Sequence, residues 1–126
     1  LDEWVFERRM LQADNGMLRV LANRSNVPFG KCTHEMLSEA LEHVEAHFDA
    51  LLVSSRMAES MSVLEHMSGR SLSTPLRRNT TKGRPMVTEL DPSLAARIRN
   101  LNEFDTELFR VASVRLDQDV KRLLMA

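Results

Sequence analysis

The sequence predicts an α/β chain, mostly helical, with one clear strand. Three observations carry this expectation. Residues 48–69, FDALLVSSRMAESMSVLEHMSG, open on a short β-type apolar run, break at Ser54-Ser55 and continue at helical spacing, which reads as strand, tight turn and helix. Two further stretches, around 33–48 and 91–116, repeat apolar residues every three to four positions. No second convincing strand accompanies the first, and a lone strand cannot pair its own backbone groups. The 126 residues are therefore expected to form one incomplete domain whose sheet partners lie outside them. A strand-to-helix junction of this kind sits at the carboxyl end of a strand, where α/β proteins bind ligands.

Taken in order, residues 2–12 place Trp4, Val5, Met10 and Leu11 among charges and predict a short amphipathic helix ending near Asp14-Asn15-Gly16. Leu18, Val20 and Leu21 form a brief apolar run before an irregular, Pro- and Gly-containing stretch, 23–31. Thr33 is placed to cap a helix whose apolar stripe is Leu37, Leu41, Val44 and Phe48, with Glu35, Glu39, Glu42 and Glu45 on its other face. The helix after the strand, about 56–67, carries Met57, Met61, Leu64 and Met67 and stops at Gly69. From 70 to 90 the pattern dissolves into a Ser-, Thr-, Pro- and Gly-containing loop. Asp91 as N-cap and Pro92 at the first helical position then start one long helix, buried along Leu94, Ile98, Leu101, Leu108 and 111–116.

Composition narrows the function classes. A hydrophobic content of 43% with 28% charged residues is ordinary for a globular chain, and a net charge of −1 gives no general attraction to nucleic acid or a membrane surface. No apolar run approaches the roughly 18–20 residues that span a bilayer, and LDEWVFERR lacks the layout of a signal peptide. The start at Leu1 suggests a processed or truncated product. The single cysteine, Cys32, excludes an internal disulfide and reads as a buried or incidental thiol. Eight methionines and no tyrosine suggest a flexible apolar core and offer no base-stacking surface.

The strongest chemical feature is the loop LRRNTTKGRP, 76–85. Arg70, Arg77, Arg78, Lys82 and Arg84 follow one another with no acid before Glu89. Guanidinium groups make forked, charge-assisted bonds to phosphate, and Gly83 lets backbone N–H groups approach it. The nucleotide-binding spacing Gly-x4-Gly-Lys-Ser/Thr is absent. His43 and His47 lie four apart on one helix face, but without a third ligand no metal site is expected, and no pair of carboxylates is fixed for glycoside cleavage.

Asn15-x3-Arg19, Phe48-Asp49 leading to Glu59-Ser60, a basic Asn-containing loop, and Leu101-Asn102-x2-Asp105-x2-Leu108-Phe109 follow in that order. Over roughly residues 1–116 this succession resembles the C-terminal half of the membrane-bound, Golgi-type carbohydrate sulfotransferases. The resemblance implies part of a P-loop-like α/β fold that moves a sulfuryl group from 3'-phosphoadenylyl sulfate to a carbohydrate hydroxyl, with no metal. It implies Arg77, Arg78, Lys82, Gly83 and Arg84 as a lid over the nucleotide, and Asn15, Arg19, Ser55 and Arg56 near the substrate cleft. The stretches that hold the 5'-phosphosulfate and the 3'-phosphate in that family are not in this chain, so no catalytic residue is carried over and the chain alone is expected to be inactive. Ser54-Ser55 stands where the family has a carboxylate, and Phe109 where it has tyrosine. Golgi-lumen residence, with a membrane anchor outside this chain, follows from the resemblance alone.

Several readings stay open on the residues themselves. Arg19 can equally pair with Asp14 or a helix carboxylate, Asp105 needs a partner such as Arg19 or a backbone N–H, and Ser60 suits local packing or capping. The alternative to an enzyme is a helical interaction module with a Met-rich surface and a basic docking loop. A nucleic-acid partner is not expected, for want of any motif or aromatic platform.

Overall fold

The computed structural model describes residues 4–72, 82–83 and 86–125. Among them the α-helices are α1 (Trp4–Arg8), α2 (Gly16–Leu21), α3 (His34–His47), α4 (Met57–Ser68), α5 (Pro92–Leu101) and α6 (Glu103–Asp119). Short 3-10 turns occupy Leu11–Ala13, Ser54–Arg56 and Val87–Glu89, and a π-helical turn occupies Val120–Leu124. The α/β expectation is corrected: no strand, and so no part of a P-loop-like sheet, occurs among the described residues.

The reason lies in pairing. Val53 does adopt extended angles, φ −113° and ψ 117°, so the end of the β-type run keeps the local geometry that a β-branched residue favours. The run finds no neighbouring strand among the described residues. The Ser60 hydroxyl of α4 takes up its end instead, accepting from Val53 N–H at 2.9 Å and donating to Val53 C=O at 3.1 Å. Val53 C=O also accepts from Arg56 N–H at 2.9 Å, which closes the turn into α4.

The chain divides into two compact units, one formed by residues 1–47 and 83–108, the other by 48–82 and 109–126. In the first, Leu18 and Ala22, Met36 and Ala40 of α3, and Phe104 and Leu108 of α6 form a buried cluster, with Leu21, Val27, Cys32, Leu37 and Leu41 packed against it. Thr33 Oγ1 accepts from Met36 N–H at 3.3 Å and so caps α3. The buried side of α3 is Met36, Ala40 and Val44; Phe48 lies beyond the helix end and is 40% exposed. Phe29 meets Phe6 edge to face at 6.4 Å, and the Arg97 guanidinium stands 4.0 Å over the Phe6 ring.

In the second unit Val53, Val63 and Leu116 are buried, with Ala112, Val120 and Leu123 against them. The buried residues of α4 are Ser60 and Val63, so its expected methionine stripe is not the packed face; Met57 and Met67 are each 39% exposed. Gly69 at φ +66° ends α4 in the left-handed conformation, its N–H donating to Glu65 C=O at 2.9 Å.

Two expected elements take other bounds. The first helix ends early, because Arg9 turns to φ +49° before the chain re-enters a 3-10 turn. The expected single helix after Pro92 is two, interrupted at Asn102 (φ −111°, ψ 29°). Pro92 and the Asp91 cap, which accepts from Ser93 N–H at 3.3 Å, begin α5 at the expected place.

Candidate functional site

The interruption at Asn102 belongs to a buried polar network in the first unit. Asn15 precedes α2 with φ 49° and ψ 51°, a left-handed conformation that asparagine tolerates better than most residues. Its side chain therefore points away from its own helix. Asn15 Oδ1 accepts from Phe104 N–H at 3.1 Å and Asp105 N–H at 3.0 Å, two of the orphan donors at the start of α6. Asp105 returns the arrangement: its carboxylate accepts from Met17 N–H at 3.0 Å and Leu18 N–H at 2.8 Å, the matching donors of α2. Each helix start is capped by a side chain from the other.

Asn102 locks this exchange. Its Oδ1 accepts from Asn15 N–H at 2.9 Å, while its Nδ2 donates to Ala13 C=O at 2.8 Å and Ile98 C=O at 3.0 Å. Asn15 Nδ2 donates to Leu101 C=O at 2.6 Å. The break between α5 and α6 follows, because the backbone groups a continuous helix would use are committed to residues almost ninety positions away.

Arg19 and Asp14 form the second half of the network. They are 3% and 1% exposed and pair at 2.5 Å. The guanidinium also donates through Nε to Asp14 C=O at 2.7 Å, through Nη1 to Val27 C=O and through Nη2 to Pro28 C=O at 3.3 Å. Gly30 N–H donates to the Asp14 carboxylate at 2.7 Å. One buried ion pair thus holds the irregular 23–31 stretch, and its polar atoms are spent on protein partners.

Two openings adjoin this network. A cavity of about 90 Å³ is lined by Asp14, Asn15, Gly30, Cys32, Asn100, Leu101, Glu103 and Phe104. Burial pushes the Cys32 thiol above its ordinary range, and the Asp14 carboxylate adds to the shift, so it is held as a thiol. A groove of about 400 Å³ is lined by Leu11, Gln12, Gly16, Arg19, Val20 and Ser25.

In the second unit Ser55 is exposed in the 3-10 turn, and Arg56 is enclosed by acids. Arg56 Nε and Nη2 reach the Glu59 carboxylate at 3.0 and 2.7 Å, Nη2 meets Asp117 at 2.7 Å, and Nη1 donates to Ser113 C=O at 3.3 Å. Glu59 and Asp117 raise the Arg56 pKa still further, and Arg56 lowers that of Glu59. Two carboxylates on one guanidinium leave an excess negative charge there, which disfavours an anionic ligand.

The expected ligand residues thus fall into three groups. Asn15 and Arg19 are brought together in the buried network, whereas Ser55 and Arg56 belong to the other unit. Lys82 and Gly83 are exposed, Gly83 at φ +73° with open space around it, and the Lys82 ammonium has no partner among the described residues. Arg77, Arg78 and Arg84 lie outside the described residues. His43 donates its Nδ1 proton to Leu21 C=O at 2.7 Å, His34 packs edge-on against Phe104 at 5.0 Å, and no cluster of three metal-ligating side chains occurs among the described residues. Of the two partners open to Arg19, Asp14 is the one it takes; the partner missed is Asn102 for Asn15, for which the succession of Asn15-x3-Arg19 and Asn102-x2-Asp105 was the only signal. No family model, curated protein or solved structure matches the chain.

Proposed function

We propose that this chain serves sulfuryl transfer from 3'-phosphoadenylyl sulfate to a carbohydrate hydroxyl, contributing the basic segment 77–84 to the donor nucleotide. One observation supports it most directly. The residues on which the resemblance rests at its two ends, Asn15, Arg19, Asn102 and Asp105, belong to one interlocking network around the start of α2 and the junction of α5 and α6. They read as a structural signature, and the substrate role of Asn15 and Arg19 gives way to a positioning one. The Lys82 ammonium, exposed and unpartnered among the described residues beside a left-handed glycine, fits a phosphate oxygen.

In the transfer, the acceptor oxygen bonds to sulfur as the bond from sulfur to the 5'-phosphate oxygen breaks, and the hydroxyl proton leaves to a base. Cationic groups of the segment offset the charge on the departing nucleotide. No residue of this chain is assigned as that base, and the chain alone gives no turnover. Residence in the Golgi lumen, with membrane attachment through a segment outside these residues, belongs to the same proposal.

The test is calorimetric titration of the folded chain with adenosine 3',5'-bisphosphate at low and moderate salt. Saturable binding that falls severalfold in Lys82→Ala and weakens with salt is expected. A flat titration by a chain with intact helical circular dichroism overturns the nucleotide role.

A second reading, a helical docking module, is favoured by the apolar exposure of the second unit: Phe48 40%, Leu52 45%, Phe109 50% and Val114 43%. It calls for an apolar dye that binds the chain, is released by Leu52→Asp and Phe109→Asp, and is indifferent to the nucleotide.

A further inference from the structure

Asn23-Arg24-Ser25 has the Asn-x-Ser form of an N-glycosylation acceptor. The fold accounts for Asn23 but not for Ser25. Asn23 follows the end of α2 at φ +56°, its N–H donating to Val20 C=O at 3.1 Å, which is a left-handed helix stop. Its side chain is exposed, and its carboxamide makes no hydrogen bond among the described residues. Ser25 is likewise exposed, and its hydroxyl has no partner among them, so the third residue of the acceptor serves no visible structural purpose.

The surroundings suit a sugar. Ser25 forms part of the wall of the groove of about 400 Å³, whose apolar surface comes from Leu11 and Val20. Val20 is 74% exposed, one helical turn before Asn23, and Met17 is 55% exposed a further turn back. Exposed aliphatic side chains beside an acceptor asparagine offer a seat for the nonpolar face of a pyranose, and the groove lies within the range of about 300–1,000 Å³ usual for small-molecule sites.

We propose that Asn23 is an N-glycan acceptor and that the first sugar of its glycan lies over the Leu11–Val20–Ser25 groove. This rests on the lumenal residence proposed above. The donor is a polyisoprenyl-diphosphate oligosaccharide. Asn23 Nδ2 bonds to the anomeric carbon of the reducing-end N-acetylglucosamine and gives up one proton. The bond from that carbon to the diphosphate oxygen breaks, and the lipid diphosphate leaves with the bonding electrons.

The test translates the full chain, with an added secretion signal, into glycosylating microsomes. Asn79-Thr80-Thr81 is a second acceptor sequence, outside the described residues, so Asn79→Gln is the background. One endoglycosidase-sensitive mobility step is expected there, lost in Ser25→Ala, which leaves the left-handed stop untouched, and kept in Ser25→Thr. Absence of that step, whether or not Asn79 is modified in the parent sequence, overturns the acceptor. Hydrogen exchange then compares the chain trimmed to one sugar with the chain after enzymatic release. Slower exchange across residues 17–24 in the former is expected, and equal exchange overturns the seat. Because the added signal delivers the chain to the lumen, the result does not depend on the nucleotide titration, and either can fail alone.

Discussion

Arg19 and Arg56 are both arginines in ion pairs, and the structure gives them different weights. Arg19 is buried with Asp14, and its loss would leave a carboxylate with only the Gly30 N–H and the Asn15 amide for company. Removing one partner of a buried pair costs about 3–5 kcal/mol. Arg56 is 26% exposed and faces acids that are half in water, where pairs are worth about 0–1 kcal/mol. Urea unfolding should therefore show a large drop in midpoint for Arg19→Ala and a small one for Arg56→Ala; equal losses would contradict the assignment. Cys32 allows a test of the electrostatics on the same side of the network. With its pKa raised by burial and Asp14, it carries less thiolate than a free cysteine at any pH below that value. Iodoacetamide should alkylate it more slowly than a cysteine peptide at pH 7.5, with a rate still climbing above pH 8.5, the ordinary thiol value of about 8.5 being exceeded. Matching rate profiles would refute the shift.

Between α5 and α6, the break is held by two carboxamides, that of Asn15 on the helix backbone and that of Asn102 on the chain at Ala13 and Asn15. Asn102→Ala removes bonds to Asn15 and Ala13 and leaves Asn15 N–H without an acceptor, for about 1–3 kcal/mol per buried group left unpaired. The measurable outcome is a lower thermal midpoint together with faster amide exchange at Asn15, Phe104 and Asp105; protection unchanged at those amides would show that the junction stands without it. This is also where sequence reading met its limit. The Asp91-Pro92 start, the Thr33 cap and the Gly69 stop were legible because each is decided by residues within one turn of itself. Nothing local marks Asn102 as a break: its neighbours continue the apolar spacing, and the partners that interrupt the helix lie at 13–15. The same holds for α4. Its methionines follow helical spacing faithfully, but the buried face was chosen by Val53 and Leu116, so Val63 and Ser60 turned inward. The strand failed for the opposite reason. Its local preference was real, and Val53 keeps it, yet a strand is a property of two segments. At the site, the buried pair was open as one of several partners for Arg19, whereas the cap exchange between Asn15 and Asp105 joins residues 90 apart and had no local trace.

At the scale of the whole molecule, each unit has its own buried cluster, and among the described residues that of the second is built on Val53, Val63 and Leu116. Among the described residues no helix is long and apolar enough to cross a membrane. Phe48-Asp49-Ala50-Leu51-Leu52-Val53 is a six-residue window of the composition that seeds cross-β assembly, interrupted by one charge at Asp49. The Ser60 hydroxyl, 0% exposed, has the one proton and the lone pairs needed to occupy both the N–H and the C=O of Val53 at once. That bond acts as a gatekeeper, since a backbone already bonded to a serine cannot template a second molecule's strand. Ser60→Ala should therefore do more than lower stability: it should shorten the lag before thioflavin-positive fibrils form at neutral pH, and Ser60→Thr, which keeps the hydroxyl, should lengthen it again. The residue that stands in for a missing strand is then also the one that keeps the wrong strand from arriving.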